Sequence, residues 1–157
     1  MEFEDFIIEV DPQYQDFARK MHEYLLQNDC KLKMASAKNG YVVSYQHGMK
    51  KRVLMNFVFR KSGLVARIYA DHIGQYIEVL ETVPDSMKTT VEKAPKCKRF
   101  EVPAGCNSKC GGYVFTLGDT QYQKCRYNCF LFGVNDESVP FIRTMIEKEL
   151  RCRTLPS

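Results

Sequence analysis

Two turn signals, Asn39-Gly40 and Lys61-Ser62-Gly63, punctuate a run of alternating strands. No other feature limits the fold of this chain so strongly. Asn and Gly both tolerate positive φ, which a tight hairpin demands. Before the first turn, Leu32 and Met34 alternate with lysines; after it, Tyr41 to Tyr45 reads as the return strand. Val53 to Arg60 alternates cleanly, with Val53, Met55, Phe57 and Phe59 facing one way, and Leu64 to Tyr69 follows the second turn. Period-two patterning between turns predicts a four-stranded antiparallel meander.

Helical patterns flank it. Asp11 is placed to cap a helix with Pro12 at its first position, and Tyr14, Phe17, Ala18, Met21, Tyr24 and Leu25 recur at spacing three and four. Asn28-Asp29 is expected to end it. Asp71 is expected to cap a second helix with Ile73, Tyr76, Ile77 and Leu80 as its buried stripe. Pro84-Asp85 starts a short third one, stopped by Pro95. A hairpin is expected from Tyr113 to Leu117, through Gly118-Asp119, into one long strand from Tyr122 to Val134. The last helix starts near Asp136 to Pro140 and buries Ile142, Met145, Ile146 and Leu150. Glu147, Lys148 and Glu149 read as its solvated face, and Asn56, Arg60 and Arg67 as strand residues facing water or lining a polar pocket. The fold class is α+β: helices on an antiparallel meander, then a cysteine-rich loop and a C-terminal β-hairpin plus helix, all in one domain, 1–157.

Five of the seven cysteines crowd into one segment, as Cys97-x8-Cys106-x3-Cys110-x14-Cys125-x3-Cys129. The N-terminus is acidic where an export signal would be basic, and no apolar run approaches the roughly 18 residues of a bilayer span. A cytoplasmic location follows as the expectation, and there thiols stay reduced. Two close pairs separated by a hairpin-length gap suit a structural zinc ion with four tetrahedral ligands. On an extended strand Cys125 and Cys129 would lie about 13 Å apart, whereas sulfurs on one zinc sit roughly 4 Å apart. The expected quartet is Cys97, Cys106, Cys110 and Cys125, with Cys129 a packed strand residue. A turn at Arg126 to Asn128 would reverse that choice and make Cys129 the alternative ligand.

The chain's net charge is +4. Seven basic residues and only Glu101 and Asp119 lie between Lys93 and Arg126, so the positive excess sits with the cysteines. Lys96, Lys98, Arg99, Lys109, Lys124 and Arg126 form the candidate basic patch. It would offset the negative charge of a tetrathiolate site and favour the ligating thiolates. Two alternatives use the same segment. One is a thiol-redox enzyme; the other is a nucleic-acid-binding module, with Phe100, Tyr113, Tyr122 and Tyr127 as stacking aromatics. His22, His47 and His72 are scattered, and no phosphate-binding glycine loop or metalloprotease motif is present.

Three stretches, Arg52 to Phe59, Gly63 to Tyr69 and Tyr122 to Asn128, together resemble a group of small uncharacterised proteins of Gram-positive bacteria. The order of elements over residues 31–150 is also similar to YjbR-like and YdhG-like α+β domains. The resemblance implies a bacterial α+β domain and carries over no catalytic residue.

Overall fold

The computed structural model describes residues 1–97 and 112–155. The expected meander is present and gains one strand. Strands β1 (Cys30–Ala37), β2 (Gly40–His47), β3 (Arg52–Arg60) and β4 (Gly63–Ile68) pair antiparallel in sequence order. A short strand, β7 (Leu131–Gly133), adds antiparallel to β4, giving the order β1-β2-β3-β4-β7. β1 is therefore an edge strand, and Lys31 and Lys33 stand exposed along it. The first turn sits one residue earlier than expected: Ala37 pairs with Gly40, so Lys38-Asn39 is the loop. Gly40 opens β2 at φ +100. A Cβ there would also lie 2.9 Å from the Phe59 ring, so glycine is required for space as well as for conformation.

The helix α2 (Pro12–Gln27) starts as its sequence dictates. Asp11 accepts a hydrogen bond from the Gln13 amide at 3.1 Å, and Pro12 occupies the first turn. It buries Phe17, Ala18, Met21 and Leu25. A five-residue helix, α1 (Phe3–Ile7), precedes it and brings Phe6 against Phe57, with ring centroids 5.6 Å apart. The final helix α5 (Val139–Thr154) packs on β3 and β4 through Ile142, Met145, Ile146 and Leu150. These helices cover the sheet face formed by Val43, Tyr45, Met55, Phe57, Ala66 and Ile68, all fully buried. None of the helices among the described residues is long and apolar enough to cross a membrane.

Three expectations are corrected, and a fourth is decided between its two alternatives. Residues 122–134 are not one strand: β6 (Thr120–Lys124) pairs with β5 (Tyr113–Leu117) in a separate hairpin, a turn spans 126–130, and β7 joins the main sheet. Asp71 caps no helix. A 3-10 turn (Ile73–Gln75) and a short α3 (Glu78–Thr82) follow it, and α4 (Asp85–Lys93) is the expected third helix. Glu149 is not solvated but wholly buried, because it lies seven residues from Ile142 on the apolar stripe of α5. Asn56 and Arg67 are buried as well, in a row running Lys33, Ser44, Asn56, Arg67 and Leu131 across the face away from the helices. Only Arg60 of that group faces solvent.

Candidate functional site

Two antiparallel segments meet at the base of the cysteine region. Lys96 and Lys124 form an isolated antiparallel bridge, with the Cys97 amide donating to the Gln123 carbonyl at 3.1 Å and the Cys125 amide to that of Pro95 at 2.9 Å. In such a ladder Cys97 lies opposite Gln123, two residues from Cys125, so both cysteines project from one face as diagonal neighbours. Diagonal positions on a pleated pair are about 7–8 Å apart, and two side chains converging from there can share one ion. Gly112, where the chain returns, closes tightly on the same point. A Cβ on it would meet the Cys97 Sγ at 2.6 Å, and its φ is +68. The Asn128 side-chain amide donates to Cys125 Sγ at 3.7 Å, a contact that suits a sulfur carrying negative charge.

The 126–130 turn removes the ground for excluding Cys129. The Cys129 amide donates to the Cys125 carbonyl at 2.9 Å, so the two residues sit one turn apart, not at opposite ends of a strand. Cys129 is nevertheless fully enclosed in the core with Phe130, and burial pushes its thiol far above the ordinary range. Burial likewise raises Cys30 to about 11, and it raises Cys152. Cys30, Cys97, Cys125, Cys129 and Cys152 are all free thiols. Among the described residues, no group of three or more His, Cys, Asp or Glu side chains is placed to hold a metal ion. Cys106 and Cys110 lie outside the described residues, as do Lys98, Arg99 and Lys109.

Two of the described basic residues, Lys124 and Arg126, turn inward, while Lys96 is exposed. Lys124 donates to the carbonyls of Glu92 and Ala94 at 2.7 and 2.8 Å, tying β6 to the end of α4. Arg126 makes a two-pronged contact with Asp71, Nε at 2.7 Å and Nη2 at 3.2 Å, and covers the Tyr69 ring at 4.4 Å. Lys96 takes part in the bridge described above.

Sequence reasoning missed the densest polar cluster of the molecule. Asp71 also accepts from Arg52 Nε at 2.8 Å, Arg153 Nη2 at 3.2 Å and the Tyr113 hydroxyl at 3.1 Å. Its burial raises the carboxyl, but the hydrogen bonds from Arg126 and Arg52 and the charges of Arg126 and Arg153 outweigh that and hold it at about 2. Glu149 accepts from the His72 backbone amide at 2.9 Å, His72 Nδ1 at 2.7 Å, the Tyr76 hydroxyl at 2.6 Å and Arg153 Nε at 2.9 Å. Arg153 thus joins both carboxylates. A cleft of about 400 Å³ opens beside it, lined by His47, Lys50, Arg52, His72 and Arg153 among others, and no acid lines it. The Nε2 of His47 is buried there without a partner, and burial foremost, then the Arg153 charge, lowers the pKa of that ring. One signal did point here: Glu149 keeps the helical register of Ile142 and Ile146.

No known family model, curated protein or solved structure matches the chain.

Proposed function

We propose that this is a cytoplasmic binding protein whose cysteine segment is stapled by a structural zinc ion. The ligands are Cys97, Cys106, Cys110 and Cys125, and Cys129 is the alternative fourth. The observation that carries this reading is the Lys96–Lys124 bridge, which sets Cys97 and Cys125 on one face where the 98–111 segment leaves and returns. When bound, zinc would supply four bonds linking that segment to the β5–β6 hairpin, a substitute for apolar core. The binding surface is the cleft lined by His47, Lys50, Arg52, His72 and Arg153, whose cations Lys50, Arg52 and Arg153 suit an anionic small molecule.

Two observations weigh against the alternatives. Within the 97–129 segment, burial makes Cys129 a poorer nucleophile, contrary to what thiol-redox chemistry asks of a reactive cysteine. Lys124 and Arg126 are engaged within the protein, which leaves a nucleic-acid reading fewer cations for phosphates.

The test is elemental analysis of the purified, untagged protein, followed by thiol labelling with and without a chelator. Stoichiometric zinc and four cysteines that label only after chelation are expected. A metal-free protein with one fast-reacting thiol would overturn the proposal in favour of redox chemistry.

A further inference from the structure

The sheet face away from the helices holds a separate polar site. Arg67 stands in the middle of β4 and is only 1% exposed. Its neighbours are neutral. Nε donates to the Tyr127 carbonyl at 2.8 Å, Nη1 donates to Asn56 Oδ1 at 3.1 Å, and the Tyr127 ring centre lies 3.7 Å from Cζ. Among the described residues Nη2 is buried with no hydrogen-bond partner. A guanidinium keeps its charge at any physiological pH, and a buried charge without a counter-charge is strongly unfavourable. Folded proteins leave few such groups unsatisfied, and a missing ion is one of the ordinary explanations.

The surroundings supply a place for that ion. Arg67 and Tyr127 line a cleft of about 100 Å³, together with Lys38, Asn39, Tyr41 and Arg60. Lys38 and Asn39 are the turn between β1 and β2, and Arg60 ends β3, so the meander itself brings them to one rim. Among the described residues three cations line the cleft and no acid does.

We infer that this cleft binds the terminal phosphate of a small phosphomonoester, with Arg67 as the buried anchor and Lys38 and Arg60 at the mouth. A phosphate dianion matches the charge better than a carboxylate. Guanidinium N–H groups fit phosphate oxygens directionally. The volume of about 100 Å³ admits one phosphate group. An internal phosphodiester offers a single charge between two bulky esters, so a nucleic-acid backbone fits poorly. Tyr127 is half exposed in the 126–130 turn, and its ring lies over the guanidinium. That ring swings aside when an oxygen reaches Nη2.

The experiment titrates the intact protein with inorganic phosphate at constant ionic strength, with acetate as the control. It is followed by amide and arginine-side-chain NMR and by thermal unfolding. Saturable shifts at Arg67, Asn39 and Tyr127 and a raised unfolding midpoint are expected with phosphate and not with acetate. The rim variant Lys38→Ala/Arg60→Ala changes only exposed side chains. It keeps its phosphate-free midpoint and binds roughly tenfold or more weakly. Arg67→Met loses the phosphate response; it also gives up the bonds to the Tyr127 carbonyl and Asn56 Oδ1, so its phosphate-free midpoint falls. Non-saturating shifts, an equal response to acetate, or a rim variant that binds like the parent would overturn the inference. So would an Arg67→Met protein that folds and still responds; if it fails to fold, the rim variant decides. Metal content is measured alongside and stays constant, so this result is independent of the zinc proposal.

Discussion

Replacing Glu149 with alanine removes the acceptor for four donors at once: the His72 amide, His72 Nδ1, the Tyr76 hydroxyl and Arg153 Nε. The side chain is 0% exposed, so water can reach the stranded donors only by entering the cavity left behind. Breaking a buried ion pair by deleting one partner costs about 3–5 kcal/mol. Domains of this size have about 5–15 kcal/mol in total, so a large share of the stability goes. With a urea dependence of about 1–3 kcal/mol per molar, the unfolding midpoint falls by about 2 M. Far-UV circular dichroism in urea measures it. Glu149→Gln keeps the volume and one acceptor oxygen but turns an amide N–H toward the donors, and falls between alanine and the parent. If both variants lose less than about 0.5 M, the network contributes no more than an exposed ion pair. Burial would then add nothing to the strength of these bonds.

Cys110→Ser should abolish zinc binding and lower the melting temperature, whereas Cys129→Ala should keep the metal and lose only packing; equal, mild effects from both, read by metal analysis and thermal melts, count against the quartet. Gly112→Ala meets both a positive φ and the Cys97 sulfur, so a loss of about 1–3 kcal/mol in urea unfolding is expected, with reduced metal content. Asp71 has a carboxyl pKa depressed in the folded state, so its contribution is full above about 3.8 and is lost as pH falls through about 2. That contribution is at most about 2 kcal/mol and shrinks as salt screens it. Asp71→Asn should flatten the pH dependence of stability between those values.

The meander was legible because turn chemistry and alternation agree from Leu32 to Tyr69. Even there the first turn shifted by one residue, since Gly40 serves as the first residue of β2 rather than the second of the loop. The split between β6 and β7 was hidden. Arg126-Tyr127-Asn128 contains no glycine or proline, and the residues on both sides alternate as a single strand would. Long-range hydrogen bonds make that turn: Arg126 reaches Asp71, and Arg67 reaches the Tyr127 carbonyl. The candidate site was half legible. Spacing pointed to Cys97 and Cys125 together, but Cys129 is not held apart from Cys125 by an extended strand, because the chain turns at 126–130. Glu149 was misread because charged residues are presumed solvated, although its register with Ile142 and Ile146 pointed inward; its partners His72 and Tyr76 lie 77 and 73 positions away.

The exposed lysines of β1 bear on how the molecule behaves in concentrated solution. β1 has β2 on one side and leaves the opposite row of backbone donors and acceptors available as a template for another chain. Strand-to-strand stacking of two copies there would bring Lys31 and Lys33 of each against the other, so mutual repulsion discourages it. Ionic strength weakens that guard within a Debye length of about 10 Å at 0.1 M salt. Colloidal stability should therefore be best in dilute buffer, and neutralising these two lysines by acetylation should favour fibrous self-association without changing the fold.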